Sequence, residues 1–406
     1  MTSLATLGRL VAVVAVIVVT GGCGTLLRNP VPTPLTPEAT VPGMPEVRAW
    51  AGNLSPPMER DLALSFRQEL PREFPPDASG VIQYAHLALS GGGASGAFGA
   101  GFLNGWTSAG TRPVFKMVTG VSTGALMAPF AFLGPAYDDA LREFYTTTSS
   151  RDIFVLGSLF SMATRVLRGE ALADTGPLTR LIERNVDADF LRRIAEAHQQ
   201  GRRLYIGTVD LDSLQFVVWN MGLIATSGRP ESLELFRKVM LASASIPIAF
   251  PPVFFDVEAG GRRYDEMHVD GGVGARVFYN GALFTPSIMR TRGGAGPYEG
   301  REEIFVIHNG QLFPVPQPTR RTVPGIAMRV LDASSRSAVV SDLFRIYAVV
   351  QSQQAGFNWL TIPDDVELAG AETFDPVLMQ ALYDVGYRKA AGGAAWATRP
   401  PGLHAP

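Results

Sequence analysis

A serine, Ser122, lies in a G-x-S-x-G pattern between Gly120 and Gly124. The apolar run 114–119 before the pattern predicts a strand, and the run 123–133 predicts a helix. A serine in a sharp turn between a strand and a helix projects its hydroxyl outward, and the flanking glycines let the chain pack closely around it. The pattern therefore predicts a nucleophile for acyl transfer. The alternative is a serine that caps the helix in a structural turn.

A run of glycines before this serine could bind negative charge. Gly91, Gly92, Gly93 and Ala94 follow a predicted strand, Tyr84–Leu89, and precede a predicted helix. Their backbone N–H groups predict an anion nest, or an oxyanion hole for an acyl-transfer intermediate. The same glycines fit the dinucleotide pattern G-x-G-x-x-G, which requires an acidic residue about 20 residues further on. The chain has no acidic residue from position 97 to position 137, which argues against a dinucleotide site.

A carboxylate that could act as a base, Asp270, follows the predicted strand Tyr264–Val269 and precedes two glycines. A simple Asp-Gly turn is the alternative. Among the five histidines, His308 ends a predicted strand and is the candidate for a Ser-Asp-His triad. His268 is two residues before Asp270 and so shares its face of the strand. A dyad and a triad therefore both remain open.

The elements around these residues alternate between strand and helix. The predicted strands are 84–89, 114–119, 204–209, 215–220, 264–269 and 304–308, and the predicted helices are 96–109, 123–133, 233–242, 324–353 and 376–391. This alternation predicts an α/β fold in which helices cover both faces of a mostly parallel sheet.

The three segments together resemble the patatin-like phospholipase family, from about residue 84 to about residue 272. The segment Ala242–Pro247 also looks like the family's A-S-x-x-x-P sequence, and we interpret it as structural. The resemblance implies a three-layer α/β/α domain over residues 81–395 and a dyad of Ser122 and Asp270. It further implies an oxyanion hole in the glycine loop, lipid carboxyl esters as substrates, and no cofactor or metal.

The N-terminus predicts an export signal over residues 1–22. The apolar run 10–19 is too short to cross a hydrocarbon core of about 30 Å as a helix. Small residues before Cys23 resemble the lipobox of bacterial lipoproteins, which implies a lipidated Cys23 and anchoring in the bacterial cell envelope. An ordinary cleaved signal and an uncleaved anchor are the alternatives.

Residues 23–57 are rich in proline, which predicts an extended tether. An ordered arm is the alternative. Residues 58–80 form an N-terminal extension in this scheme, with a helix over 58–70, and residues 396–406 form a C-terminal tail.

The composition narrows the function classes. The 35 basic and 37 acidic residues form no basic block, so no nucleic-acid partner is expected. A single cysteine excludes an intrachain disulfide and a multi-cysteine zinc site. We therefore expect a serine lipid acyl hydrolase that acts at a membrane surface. A His-dependent α/β-hydrolase esterase and a non-catalytic lipid-binding envelope protein are the alternatives, and the oligomeric state is open.

Overall fold

The computed structural model describes residues 28–153, 155–156, 173–247, 249–279, 300–313, 316, 318–368 and 373–403. The strands are β1 Arg48–Trp50, β2 Ile82–Leu89, β3 Phe115–Val121, β4 Val155–Leu156, β5 Ala173–Asp174, β6 Arg203–Asp210, β7 Gln215–Asn220, β8 Val253–Ala259, β9 Arg262–Asp270, β10 Gly300–His308 and β11 Gly356–Thr361. The helices are α1 Pro56–Arg67, α2 Gly96–Ser108, α3 Thr123–Leu133, α4 Asp138–Thr146, α5 Ser150–Ile153, α6 Gly176–Asn185, α7 Ala188–Gln199, α8 Met221–Thr226, α9 Ser232–Ser243, α10 Val323–Ser352 and α11 Pro376–Ala391.

Nine of these strands form one sheet in the described part of the chain, in the order β1-β7-β6-β3-β2-β10-β11, with β9 also paired to β6 and β8 paired to β9. Strands β6, β3, β2, β10 and β11 are parallel. Strands β1, β7, β8 and β9 join by antiparallel pairing. Helices pack on this mostly parallel central sheet, which confirms the predicted α/β fold.

The side chains of β2 pack on both faces of the sheet. Leu87 and Leu89 belong to a hydrophobic cluster with α2, α3 and α9, whereas Tyr84 and Ala88 belong to a second cluster with α1 and α10. Successive strand side chains point to opposite faces. Both faces of the sheet are therefore covered, and the strands read as almost continuous apolar runs.

Glycines in α2 allow a close contact with α11. A Cβ atom at Gly101 would collide with the backbone carbonyl of Tyr383, and one at Gly105 would collide with that of Tyr387. A residue with a side chain at either position would push the helices apart. This contact explains why a glycine-rich segment is a helix here, although glycine lowers intrinsic helix propensity.

The parallel strands carry the predicted site segments to one edge of the sheet. The glycine loop follows β2, Ser122 follows β3, and His308 ends β10. The carboxyl ends of neighbouring parallel strands meet at one edge. Strand β9 is antiparallel to β6, and its last residue, Asp270, pairs with Thr208 near the end of β6. The sequence patterns predicted β9 but neither its direction nor its hairpin with β8.

The proline-rich segment differs from the predicted tether in its described part, residues 28–57. Strand β1 within it pairs antiparallel with β7, and Thr40 forms a β-bridge with Glu258. Prolines exclude central strands, but they permit short pairings at a sheet edge. The ordered arm, which was the alternative interpretation, is the observed arrangement for these residues. The predicted signal 1–22 and Cys23 lie outside the described residues.

The predicted C-terminal tail also contacts the domain in its described part. Ala397 forms a β-bridge with Trp359, and the indole N–H of Trp359 donates to the carbonyl of Arg399 at 2.7 Å. In the described part of the chain, no helix combines the length and the apolar character that crossing a membrane requires.

A buried ion pair ties the arm to β9. Arg48 donates to both carboxylate oxygens of Glu266, and both side chains are at most 4% exposed. Burial alone would raise the pKa of Glu266, but hydrogen bonds from His268 and Arg48 outweigh it and hold this pKa at about 2. The arm is therefore part of the folded domain.

We expect Arg48→Ala to lower the free energy of unfolding by about 3–5 kcal/mol, because the Glu266 carboxylate would remain buried without its cation. Urea denaturation measures this change. Arg60→Ala is the matched control, because it also removes an arginine that pairs with the arm. Both Arg60 and its partner Glu46 are more than half exposed. This variant should change stability by less than about 1 kcal/mol. Similar small losses in both variants would contradict the assignment of a folded arm.

Candidate active site

Ser122 lies in a strained turn between β3 and α3. Its backbone has φ 56° and ψ −127°, a region that residues other than glycine rarely adopt. The turn is possible because Gly120 and Gly124 have no side chains: a Cβ at Gly120 would collide with the carbonyl of Gly124, and one at Gly124 with that of Leu89. Such strain costs about 1–3 kcal/mol and persists only where the surroundings enforce it. The turn has the strained strand-to-helix geometry that is typical of a nucleophile elbow.

The carboxylate of Asp270 meets the Ser122 hydroxyl at the end of β9. Asp270 is 4% exposed and accepts a hydrogen bond from the N–H of Gly272 at 2.7 Å. Burial raises its pKa from 3.8 to about 6, although hydrogen bonds from Ser122 and Gly272 and the charge of Arg276 act in the opposite direction. The structure therefore places the Ser122 hydroxyl beside the Asp270 carboxylate, and burial gives this carboxylate more basicity than a solvated aspartate has.

The segment Ala242–Pro247 contacts both of these residues. The Ser122 N–H donates to the Ser243 hydroxyl at 3.1 Å, and that hydroxyl donates to the carbonyl of Gly207 at 2.6 Å. The carbonyl of Ser245 accepts from the Asp270 N–H at 2.9 Å. The segment was interpreted as structural. Its contacts show that it holds the serine and the aspartate in position, a role that its sequence pattern does not reveal.

The glycine loop lies against the serine. A Cβ at Gly91 would be 3.1 Å from the Ser122 Cβ. The Gly91 N–H itself donates to the carbonyl of Arg276 at 3.1 Å, so it is not available for an oxyanion. Within the described residues, the N–H groups of Gly92, Gly93 and Ala94 have no backbone acceptor outside regular elements. These three amides are the candidate oxyanion donors, and Gly91 is a spacer that lets the loop approach Ser122.

His308 supports the glycine loop through Ser90. The His308 Nδ1 lies 2.9 Å from the Ser90 hydroxyl, which also accepts from the N–H of Asn309 at 2.8 Å. The Asn309 side chain donates to the carbonyl of Ser90 and accepts from the N–H of Gly99. The sequence does not mark Asn309 as a functional residue, because a lone asparagine after a strand belongs to no motif.

Neither His308 nor His268 is arranged as a member of a triad. Within the described residues, no hydrogen bond joins His308 to Ser122 or Asp270, and burial together with Arg336 and Arg276 lowers the His308 pKa to about 4. His268 binds Thr208 through Nδ1 and Glu266 through Nε2, on the side of the arm.

His198 lies near the polar end of α7 but is buried. It is 3% exposed, and its Nε2 lies 3.3 Å from the Asp61 carboxylate. Helix α8 packs closely over it, because a Cβ atom at Gly222 would collide with the His198 ring. This long-range contact is not visible in the local sequence.

One further charged residue, Arg276, reaches the dyad. A Cβ at Gly272 would lie 2.9 Å from Asp270 Oδ1 and 3.2 Å from Arg276 Nη1, so both side chains border the same point. No sequence signal marked Arg276, because it follows the D-G-G motif without a recognised spacing. In the described residues, no group of three or more His, Cys, Asp or Glu side chains is arranged to hold a metal ion.

A comparison with protein-family models agrees with the site segments. The family model described as Patatin-like phospholipase matches residues 87–283, which contain the glycine loop, the elbow and the D-G-G motif. The chain therefore contains a patatin-like phospholipase domain, and this family is one of lipid ester hydrolases. A comparison with curated proteins gave no match.

Solved structures that resemble the chain include several proteins of low identity. VipD from Legionella pneumophila has 12% identity and a TM-score of 0.39, and the alignment covers 79% of this chain and 69% of VipD. The type III effector ExoU of Pseudomonas aeruginosa has 15% identity and a TM-score of 0.33, over 76% of this chain and 52% of ExoU. Human GIVD cytosolic phospholipase A2 has 11% identity and a TM-score of 0.37, over 85% of this chain and 63% of that protein.

We expect Asp270→Asn to stabilise the protein at pH 8. The folded-state pKa of about 6 exceeds the ordinary value of 3.8, so ionisation costs the folded protein more than the unfolded chain. This cost is absent below about pH 4, grows between pH 4 and 6, and reaches about 3 kcal/mol above pH 6. Urea denaturation at pH 4 and pH 8 measures it. Asp256→Asn, at an exposed position of β8, is the control and should leave stability near the wild-type value. A destabilised Asp270→Asn protein at pH 8 would contradict the expectation.

Proposed function

We propose that this chain is a serine acyl hydrolase that cleaves carboxyl esters of lipids through Ser122 and Asp270. The observation that carries the proposal is a serine on a strained strand-to-helix turn beside a buried aspartate, Asp270, whose pKa is raised to about 6. The coarser statement, a lipid ester hydrolase domain, rests on the family match over residues 87–283. The roles of the individual residues are the proposal.

The reaction begins with proton transfer from Ser122 to Asp270. The serine oxygen forms a bond to the ester carbonyl carbon, and the negative charge moves to the carbonyl oxygen. The N–H groups of Gly92, Gly93 and Ala94 stabilise this oxyanion. Asp270 then returns the proton to the leaving alcohol as the ester C–O bond breaks.

Water completes the cycle. Asp270 takes a proton from a water molecule whose oxygen adds to the acyl carbon, and the bond to Ser122 then breaks. The serine oxygen regains the proton, and the fatty acid leaves. A base with a pKa of about 6 is mainly ionised at neutral pH, and it accepts a proton more readily than an aspartate with a pKa of 3.8.

Two features argue against the alternatives. His308 uses its Nδ1 at Ser90, which does not favour a triad. A non-catalytic scaffold has no physical reason to maintain both a strained serine and a buried carboxylate, because each of them costs stability.

We expect Ser122→Ala and Asp270→Asn each to reduce kcat by at least about 10³-fold, with little further loss in the double variant, because the two residues act as one unit. Hydrolysis of a p-nitrophenyl ester measures kcat, and labelling by a fluorophosphonate followed by peptide mapping reports the nucleophile. His308→Ala is the informative comparison: it should lose less than about tenfold, because it removes only support for the glycine loop. A His308→Ala loss as large as that of Ser122→Ala would favour the triad instead.

We also propose that the protein is exported and anchored in the bacterial cell envelope through a lipid on Cys23. The support is the sequence of the first 23 residues. Cys23→Ser is expected to move the protein from the membrane fraction to the soluble fraction, because the lipid supplies the membrane affinity. Fractionation followed by immunoblotting measures this, with the Ser122→Ala protein as a control for expression. Equal membrane retention of both variants would contradict the lipid anchor.

A further inference from the structure

Arg276 is fixed by its backbone between the glycine loop and α10. Its carbonyl accepts from the N–H of Gly91 at 3.1 Å, and its own N–H donates to Asp342 Oδ2 at 2.7 Å. These two bonds hold the residue six positions after Asp270 and directly against the loop that carries the candidate oxyanion donors. The backbone of Arg276 is therefore tied to the loop and to α10, which places the start of its side chain next to the loop.

The guanidinium of Arg276 borders the dyad and forms no ion pair within the described residues, although its charge lowers the pKa of Asp270. Its Nη1 borders Gly272 beside Asp270 Oδ1. Its Nε is buried and makes no hydrogen bond within the described residues. A buried cationic donor normally has a partner, because an unpaired one loses its hydration without compensation.

The nearest carboxylates are engaged elsewhere. Asp342 accepts the backbone N–H groups of Arg276 and Val277 with Oδ2, and its Oδ1 lies 3.3 Å from Arg345. Asp270 is bonded to Ser122 and Gly272, and it forms no ion pair with Arg276 in the described part of the chain. Arg276 consequently feels these two carboxylates but forms a direct ion pair with neither, and its Nε still lacks a hydrogen-bond acceptor within the described residues.

The glycine loop provides no competing positive side chain. Residues Ser90 to Gly96 contain no Lys or Arg. Arg336 on α10 adds positive charge near His308, because Arg336 and Arg276 both lower the pKa of that histidine. An anion at this end of the sheet would therefore meet a favourable field, with Arg276 as the group closest to Ser122 and Asp270.

We propose that Arg276 binds an anionic group of the substrate that lies a few bonds from the scissile ester. The inference rests on the proposed hydrolase function and adds a substrate class to it: esters that carry a phosphate or a carboxylate, in preference to neutral acylglycerols. The planar guanidinium can donate two parallel hydrogen bonds to either anion, and its unpartnered Nε is one of the donors suited to this geometry. Arg276 is thus a residue that determines specificity and does not take part in the proton transfers.

The test uses the full chain and three short-chain esters that dissolve as monomers, so that binding to a lipid surface does not contribute. All three carry two butanoyl chains: dibutanoyl phosphatidylmethanol has a phosphodiester, dibutanoyl glycerate has a carboxylate, and the methyl ether of dibutanoylglycerol is neutral. We expect the wild type to have a kcat/KM at least about tenfold higher for one or both anionic esters than for the neutral ester, mainly through a lower KM. The two anionic arms distinguish phosphate from carboxylate recognition.

Arg276→Gln should abolish this preference, lowering the ratio of anionic to neutral kcat/KM at least about tenfold, and Arg276→Lys should restore part of it. Arg345→Gln is the matched control: it removes an Arg charge near Asp342 that is 58% exposed, and it should leave the ratio within about twofold of the wild type. A wild type without anion preference overturns the proposal, whether or not the variants fold. Equal losses of Arg276→Gln on all three esters also overturn it, because they indicate a structural role.

The failure of the hydrolase function is separately visible. If the wild type cleaves none of the three esters and a fluorophosphonate does not label Ser122, the proposed function falls, and the inference about Arg276 falls with it. Cleavage of all three esters at the same rate leaves the hydrolase function standing and removes only the role of Arg276.

Discussion

The contact between the Ser122 hydroxyl and the buried Asp270 carboxylate is the interaction on which the site depends. A carboxylate in water is too weak a base to activate a serine, and a fully buried one without hydrogen bonds would be protonated at neutral pH. Here burial is opposed by the hydrogen bonds of Ser122 and Gly272, and the resulting pKa of about 6 lies between these limits. The carboxylate is mainly ionised at neutral pH and is more basic than a solvated aspartate.

Several segments from distant parts of the chain maintain this contact. The end of α9 and the residues after it bind the Ser122 amide through Ser243 and the Asp270 amide through Ser245. The glycine loop lies over the serine and is held from β10 by His308 and Asn309, through Ser90. These supports allow the strained backbone at Ser122 to persist, because relaxation of the turn would break contacts with all of them.

The sequence patterns predicted the chemical residues better than their supports. The elbow at Ser122, the D-G-G aspartate and the alternation of strands and helices follow from local spacing, and local spacing is what a sequence displays. Gly91 is different: it was expected to donate to an oxyanion, but its N–H is used by the carbonyl of Arg276. The occupancy of a backbone amide depends on what packs against it from elsewhere in the chain. For the same reason, no sequence motif marks Asn309 or Arg276. The position of His308 at the end of a strand suggested a triad, because its packing partner Ser90 is not visible in the sequence.

The sequence by itself determined the class of fold and the candidates for the nucleophile and the base, because periodicity, glycine turns and motif order are local properties. Only the tertiary structure decided that residues 28–57 form an ordered arm, that β9 runs antiparallel beside β6, and that the Asp270 carboxylate is buried against Ser122. Burial, and with it the basicity of a carboxylate and the pairing of a charge, is set by neighbours that are far apart along the chain.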